Sequence, residues 1–516
     1  MTTARHVVAL VAVAALCAAT LSCRHGDPDF SSAAPAGRSA DVTPELAGAT
    51  IPPNIAPLNL LVREPGDRYA VRLTCQDEEL VAAGHTGSVR FPIEAWRSLL
   101  ANGRDGSIRW EVFVRQAGRW AAFAPYETSV SEDEIDPYLI YRYIHPVYNQ
   151  WDDVRIMQRD LRSFSERTVI AGPDVEGACV NCHSYSSYSA RRMTIGLRSQ
   201  AVGNGTLLVV DGVPIRLDAV FGYSAWHPSG TVVAFSMNKV RQFFHVWRSE
   251  SRDVVDLNSD LAYYRLGDTA VRSSDAIARE DRLETYPAWA PDGATLYFCS
   301  APRLFSSDTK MPPDRYDEVR YDLVRVPFDA TSGTFGKPEV VLPASDASGS
   351  VLLPRVSPDG RFVLFCVAEY GCFPIYQPSS DLYLLDLADG GFRRLGINSD
   401  QSESWHCWSS NGRWVAFSSK RADGLFTRTY FSHVDADGGF ATPFILPQED
   451  PVFYASCLKT FTVPEFTTEP VRVSARDLAK AGASADRLKL DLPDIPMTRG
   501  APSPPEPWLE SSGAPR

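Results

Sequence analysis

The feature that most constrains the fold is an internal repeat in the second half of the chain. Four segments share a polar turn that ends near a glycine and leads into a strand-like run: AWHPSGTVVAFS from Ala225, AWAPDGATLYFCS from Ala288, RVSPDGRFVLFC from Arg355 and CWSSNGRWVAFSS from Cys407. The turn glycines Gly230, Gly293, Gly360 and Gly412 are 63, 67 and 52 residues apart. A turn and strand that recur at such a spacing are typical of propeller blades. The repeat therefore predicts a β-propeller over residues 201–465, with four clear blades and five to seven in all.

Two regions of different texture precede the repeat. Residues 51–130 contain short runs rich in β-branched and aromatic residues, which predict a β-sandwich resembling an immunoglobulin or fibronectin module. Residues 131–200 are predicted to form a short helical segment, because Asp136-Pro137 is a typical helix start. The predicted fold class is mainly β. The change in composition near residue 130 predicts that the sandwich and the propeller are separable units.

The most informative short motif lies in this helical segment. Residues 179–183 read Cys-Val-Asn-Cys-His, the CxxCH pattern of covalent haem attachment. In that chemistry Cys179 and Cys182 add to the two vinyl groups of haem, and His183 becomes the proximal ligand of the iron. The motif therefore predicts one covalent haem c.

Two other interpretations of the motif need a different context. Half of a zinc site would require a second ligand pair, such as Cys366 with Cys372 or His406 with Cys407. A redox-active dithiol would favour a βα context and would not need His183. The haem interpretation uses all three residues of the motif.

The distal iron ligand has three candidates. His245 lies in NKVRQFFHVWRSESRD, a basic and aromatic insertion between two strands, and inserted loops on a rigid scaffold often carry sites. It is therefore the first candidate, and it is a predicted metal ligand together with His183. Met193 and His145 are the alternatives, and a five-coordinate iron is a further one. Arg191, Arg192 and Arg198 are near enough in sequence to meet the haem propionates.

The N-terminal sequence predicts export, and the sequences near both ends predict flexible, exposed segments. Residues 1–22 resemble a secretory signal, with a basic start and an apolar run too short for a membrane span. The following Cys23 resembles the lipidated cysteine of a bacterial lipoprotein, although Thr20 stands where a large aliphatic residue is usual. Residues 23–50 are predicted to be a flexible tether, and residues 466–516 a disordered Pro-rich tail.

Charge and composition limit the partners. The formal net charge is −12, which argues against nucleic-acid binding because that needs clustered basic residues. The expected contacts are a membrane, through the lipid anchor, and either a redox partner protein or a peptide or glycan on the propeller. The predicted location is the periplasm or the cell surface, with the outer membrane favoured because Arg24 follows Cys23.

Taken in order, these features resemble a family of exported bacterial TolB-like propeller proteins that carry a single c-type haem motif. The resemblance covers residues 50–465 and rests on CVNCHS, RQFFH and WSSNGRWVAFSSKR. It implies haem attachment at Cys179 and Cys182, ligation by His183, and a propeller. The expected function is electron transfer by a monohaem lipoprotein. The alternatives are a haem-dependent oxidoreductase and a non-redox scaffold that binds a peptide or glycan.

Overall fold

A computed structural model describes residues 29–146, 153–246, 250–306 and 309–499. Its N-terminal part is a β-sandwich of a seven-stranded and a three-stranded sheet. Its strands are β1 (Ala34–Ser39), β2 (Val42–Thr43), β3 (Thr50–Ile51), β4 (Leu60–Val62), β5 (Arg68–Cys75), β6 (Glu78–Gly84), β7 (Ser88–Val89), β8 (Gly106–Gln116), β9 (Arg119–Ala124) and β10 (Tyr126–Val130). One helix, α1 (Ile93–Asn102), buries Trp96 and Leu100 against this sandwich.

Six further sheets form a ring of blades, and the first blade is closed by the last strand of the chain. Blade one contains β11 (Tyr138–Ile144), β12 (Arg155–Asp160), β13 (Glu166–Ala171) and, as its innermost strand, β35 (Thr460–Thr467). Blade two contains β14 (Cys179–Ser186), β15 (Ser189–Arg198), β16 (Gly205–Val210) and β17 (Val213–Leu217). Blade three contains β18 (Ser224–Trp226), β19 (Val232–Phe244), β20 (Arg252–Arg265) and β21 (Val271–Arg272).

The remaining blades follow the same pattern along the chain. Blade four contains β22 (Arg282–Trp289), β23 (Thr295–Pro302), β24 (Asp322–Asp329), β25 (Thr334–Phe335) and β26 (Glu339–Leu342). After a short helix α2 (Ala344–Ala347), blade five contains β27 (Ser350–Val356), β28 (Phe362–Ala368), β29 (Asp381–Asp386) and β30 (Phe392–Arg394). Blade six contains β31 (Glu403–Trp408), β32 (Trp414–Ser419), β33 (Arg428–His433) and β34 (Phe444–Ile445), and α3 (Phe453–Ser456) leads into β35.

The predicted β-propeller is confirmed, and its blade number lies within the predicted five to seven. The repeat glycines adopt the left-handed conformation that their turns require, with φ of +68° at Gly230 and +70° at Gly293. The propeller begins earlier than predicted, at residue 138. Blades one and two therefore lie within residues 131–200, where the sequence predicted a helical segment.

The predicted helical segment is wrong for the described residues. Tyr138–Ile144 is rich in aromatic and aliphatic residues and forms β11 between β12 and β35. Its partner β35 lies more than 300 residues away in sequence, so tertiary pairing decided the conformation that local signals misassigned. The haem motif itself lies on β14, an innermost strand.

The predicted tether and tail also contain ordered structure. Residues 34–39 form β1, which pairs in parallel with β9, because strand pairing uses backbone groups that small residues also supply. Residues 475–483 form α4 (Ala475–Ala483), whose buried Leu478 packs with Val175 and Leu197 of blade two. Residues 1–22, the lipidation candidate Cys23 and residues 500–516 lie outside the described residues.

The sandwich and the propeller share one apolar core. Trp110 of the sandwich and Trp414 of blade six belong to the same buried cluster. The Trp414 indole also donates a hydrogen bond of 3.1 Å to the carbonyl of Asp133 in the connection between the two. No helix in the described part of the chain is both long and apolar enough to cross a membrane.

We expect Trp414→Ala to lower the free energy of unfolding by about 3–5 kcal/mol, because it removes a fully buried aromatic side chain. Since Trp414 joins the two parts, sandwich and propeller should unfold in a single transition at lower denaturant concentration. Chemical denaturation followed by far-UV circular dichroism measures this. Trp120→Ala, on the partly exposed strand β9, is the control and should have a smaller effect. Two separated transitions in the wild-type protein would contradict the shared core.

Candidate functional site

Six equivalent positions of the innermost strands surround the propeller axis, and five of them carry a backbone irregularity. In five innermost strands the pairing with the neighbouring strand is interrupted at the same repeat position. With the matching residues of blade three, the six pairs are Cys182-His183, Tyr223-Ser224, Tyr286-Pro287, Leu353-Pro354, Trp405-His406 and Val463-Pro464. Apart from Tyr223, the first residue of each pair has a positive φ, between +42° and +55°. Bulges and strained residues of this kind re-aim side chains and cluster at functional sites.

The bulge on β14 explains how the CxxCH motif is displayed. Cys182 and His183 lie between two regular pairs, Asn181 with Gly196 and Ser184 with Thr194. In a regular strand, residues three apart point to opposite faces. The bulge breaks that alternation, so both cysteine thiols come under the influence of one side chain, Arg198.

Arg198 is the basic residue whose charge acts most strongly on the Cys179 thiol. It stands directly opposite Cys179 in the pairing of β14 with β15, and its side chain hydrogen-bonds to Cys182. Burial raises the pKa of Cys179, and the positive charge of Arg198 opposes that shift. Both cysteines are free thiols in residues of intermediate exposure, and the Cys179 thiol is itself desolvated by burial.

The bulges enclose a cavity of about 40 Å³ at the propeller axis. Its lining includes the aromatic residues Tyr223, Tyr286 and Trp405, and the rings of Tyr223 and Tyr286 lie tilted against each other with centroids 4.3 Å apart. Arg142 and Arg355 also line it. A space of this size holds one or two water molecules.

His183 is the histidine that lines this cavity, and its environment is unusual. The residue is 3 % exposed, and neither ring nitrogen has a hydrogen-bond partner of ordinary geometry among the described residues. Burial, aided by the positive charge of Arg142, lowers the pKa of His183 to about 3. The imidazole is therefore neutral near pH 7, which is the form that ligates metals.

Arg142 links the motif to the closing strand of the propeller. Its guanidinium donates to the side-chain oxygen of Asn181 at 2.6 Å and to the hydroxyl of Thr462 at 2.9 Å. Arg355 forms an ion pair with Glu465 at 2.6 Å. The motif is thus held between blades one and two, where the ring closes.

The structure does not bring the three predicted distal ligands to His183. Met193 is fully buried in an apolar cluster with Ile195 on β15. His145 is half-exposed, with its Nε2 3.7 Å from the carboxylate of Asp153. His245 lines a different cavity. None of the three is a lining residue of the His183 cavity.

Strands β19 and β20 continue far beyond the short innermost strand β18 and form a capping hairpin, residues 238–246 and 250–256. It crosses the face at which the innermost strands begin. Val240 and Val254 of the hairpin share an apolar cluster with Tyr286 and Trp405 of the central ring. The hairpin therefore packs against the central ring, and its His245 does not line the central cavity.

The end of the capping hairpin is fixed by charged contacts with other blades. Glu250 accepts hydrogen bonds from Arg252 at 2.6 Å and from Lys420 of blade six at 3.0 Å. Although burial alone would raise it, these contacts lower the pKa of Glu250 to about 2. Arg252 also donates to the carbonyl of Pro146 in blade one. The hairpin, which belongs to blade three, is thus anchored on blades six and one.

Among the other predicted basic residues, Arg191 and Arg192 pair with Asp211 on the outer part of blade two. His406 occupies the same repeat position as His183, but its Nε2 lies 3.0 Å from the carbonyl of Leu364 and its Nδ1 3.7 Å from the sulfur of Cys366. Its ring nitrogens are therefore already engaged. Among the described residues, no group of three or more His, Cys, Asp and Glu side chains is arranged to hold a metal ion.

The aromatic residues of the central ring were not predicted from the sequence. Extending the repeat alignment two residues upstream would have found them, because YSAW, YPAW, LPRV and WHCW then align with CHSY of residues 182–185. The haem motif is therefore a modified copy of the propeller repeat. The motif lacks the glycine turn of the other copies, so the repeat pattern alone places it in a separate segment, residues 131–200.

Glu284, near the start of β22, is a buried carboxyl group whose protonation state can be tested. Burial, together with the nearby Asp260, raises the pKa of Glu284 from 4.5 to about 8, although Arg279 and Arg282 oppose the shift. Because the folded pKa exceeds the unfolded one, this group's contribution to stability is complete below pH 4.5. That contribution is lost as the pH rises through about 8.

We therefore expect Glu284→Gln, which mimics the neutral acid, to be more stable than wild type at pH 8, on the order of 2 kcal/mol. The difference should shrink toward pH 5. Denaturant unfolding at several pH values measures it, with the exposed Glu79→Gln as the control. A Glu284→Gln variant that is less stable at pH 8 than at pH 5, relative to wild type, would contradict this assignment.

The central site fits the donor chemistry of haem c but not its volume. Two free thiols and a neutral, buried imidazole are the groups that attach and ligate the cofactor. The enclosed space of about 40 Å³ is far too small for a porphyrin. Attachment therefore requires the side chains around Cys179 and Cys182 to move.

No protein-family model matches the chain, and a search of curated proteins finds no match. Similar solved structures include TolB from Acinetobacter baumannii, with 13 % identity over 73 % of this chain and 85 % of that one, and a TM-score of 0.39. Prolyl oligopeptidase B from Galerina marginata has 13 % identity over 66 % of this chain and a TM-score of 0.34, and the match spans 42 % of its length. An oligogalacturonate lyase in complex with manganese has 12 % identity over 78 % of this chain and 99 % of that one, and a TM-score of 0.31. Likeness at this level carries no inference about ligand or activity.

Proposed function

We propose that this chain is an exported c-type haem protein that transfers electrons. One observation carries the proposal. In the ring of six equivalent positions, blade two places Cys182 and His183 where the other blades place an aromatic or aliphatic residue followed by proline, serine or histidine. The one other histidine of the ring, His406, has engaged ring nitrogens, whereas His183 makes no hydrogen bond of ordinary geometry among the described residues and has the backbone of Val463 beside it.

The roles of the residues follow from their chemistry. Haem, when bound, supplies a one-electron redox centre. Cys179 and Cys182 would form its two thioether bonds, and His183 would hold the iron from one side as a neutral imidazole. Arg198 would keep the two sulfurs on one side of β14. The described lining of the cavity contains no second histidine and no methionine, so it offers no His or Met as a distal ligand.

The test is to produce the full chain in a bacterial host with cytochrome c assembly machinery and record its pyridine haemochrome spectrum. We expect a covalent c-type spectrum with one haem per chain and reversible reduction in a redox titration. A protein that folds but carries no covalent haem would overturn the proposal. A haem that is attached but is not reduced at accessible potentials would favour a structural role and a non-redox binding scaffold.

We also propose that residues 1–22 direct export and that Cys23 carries a lipid anchor. The support is the signal-like start of the chain and the lipoprotein-like cysteine. Fractionation of cells producing the full chain tests both steps. We expect the protein in the membrane fraction, released by detergent and not by salt. Recovery from the cytosol would contradict export.

A further inference from the structure

The cavity at the propeller axis has a lining whose formal charges are all positive. Arg142 of blade one and Arg355 of blade five both line it, and none of its described lining residues is an aspartate or a glutamate. Burial and the positive charges of both arginines lower the pKa of His183 in the same cavity to about 3. Glu465, which pairs with Arg355 at 2.6 Å, is not part of this lining. The cavity therefore favours a negatively charged occupant.

Trp405 adds a hydrogen-bond donor to this lining. The residue is 7 % exposed, and its indole nitrogen is buried without a hydrogen-bond partner among the described residues. An indole N–H can donate a hydrogen bond but cannot accept one. Because a buried donor that stays unsatisfied costs about 1–3 kcal/mol, an occupant that supplies an acceptor atom is favoured.

Asn181 contributes donors of the same kind. Its side-chain oxygen accepts hydrogen bonds from Arg142 at 2.6 Å and from the backbone N–H of Cys182 at 2.7 Å. With the oxygen engaged twice, the group that the amide offers to an occupant is its NH2. Hydroxyl groups, which donate or accept, complete the polar lining: Tyr223, Ser224 and Tyr286. Donors from blades one, two, five and six therefore meet at the cavity.

The size of the cavity limits which anion it can hold. Its volume of about 40 Å³ corresponds to one or two water molecules, which is too little for a tetrahedral ion such as phosphate or sulfate. A halide ion would fit but offers no fixed acceptor directions. The two oxygens of a small planar oxyanion accept hydrogen bonds from different sides, and guanidinium groups bind such ions in a bidentate manner.

We propose that the central cavity binds a planar monovalent oxyanion of the size of formate or nitrite, held by Trp405 and by the guanidinium groups of Arg142 and Arg355. The inference goes beyond the proposed function, because these side chains line the cavity without haem. It is therefore tested on full-length protein produced without cytochrome c assembly machinery. A failure of anion binding is then distinct from a failure of haem attachment.

Isothermal calorimetry in a chloride-free buffer near pH 7 measures the binding of formate, nitrite and phosphate to this protein. We expect formate or nitrite to bind with a millimolar or lower dissociation constant, and phosphate to bind more weakly by about tenfold or more. Trp405→Phe keeps an aromatic ring but removes the N–H, so it should weaken binding by about tenfold. Arg142→Gln removes a positive charge and keeps a donor, and it should weaken binding further.

Trp289→Phe is the matched control. Trp289 is 8 % exposed, lies outside the cavity lining and donates its indole N–H to the carbonyl of Ala225. This variant should bind the anion as wild type does, even if its stability falls. Thermal melting checks that each variant is folded, and where one of the two cavity variants is not, the other decides. The proposal is overturned if neither formate nor nitrite binds, if phosphate binds as tightly as they do, or if the folded cavity variants bind like wild type.

Discussion

Replacing Cys179 and Cys182 together by alanine should abolish covalent haem, so that the haem stain on a denaturing gel falls to background. The physical reason is that each thioether bond requires one of these sulfurs. Both sulfurs are on β14, beside Arg198 of the neighbouring strand β15. Each single variant should retain one bond and shift the pyridine haemochrome band relative to wild type. Mass spectrometry of the intact chain counts the attached haem independently.

The control for this experiment is the double variant Cys366→Ala and Cys372→Ala. Both residues are buried thiols of the propeller core and lie outside the motif. Haem attachment should survive in this variant even if its stability falls. Staining that persists in the Cys179 and Cys182 double variant, or that disappears in the control while the fold is retained, would falsify attachment at the motif.

The second large effect is expected for His183→Ala. Thioether bonds do not involve the imidazole, so haem should stay covalently attached, while the absorption and EPR spectra should change because the iron loses its proximal ligand. In the wild type the spectrum should not change with pH near 7, because the imidazole of His183 is neutral there.

His406→Ala is a close control, because His406 occupies the same bulge position in blade six and is equally buried. Its ring bonds to the carbonyl of Leu364, so the substitution should lower stability and leave the haem spectrum unchanged. His245→Ala should also leave the spectrum unchanged, because His245 lines the other cavity. A spectral change in His245→Ala would instead restore it as the distal ligand and show that the capping hairpin moves when haem binds.

Local signals predicted the propeller because its turns are built from local chemistry. A glycine such as Gly293 is needed where φ is positive, and the strand that follows is recognisable from its β-branched and aromatic residues. The CxxCH motif was equally accessible to sequence analysis, since it depends on residue types and spacing alone. The assignment of the motif to a helical segment was wrong, because residues 179–186 form strand β14 by pairing with β15. The preceding β11 likewise becomes a strand by pairing with β35 at the far end of the chain.

The sequence by itself therefore determined the fold class, the repeat and the candidate haem residues. The tertiary structure alone decided where those residues meet. Cys182 and His183 reach the propeller axis through a bulge whose strain is held by neighbouring blades, and His245 is carried to a separate cavity by the capping hairpin. Contacts such as that between Lys420 and Glu250 join residues 170 positions apart. No local pattern specifies them, because they form only when the ring of blades has closed.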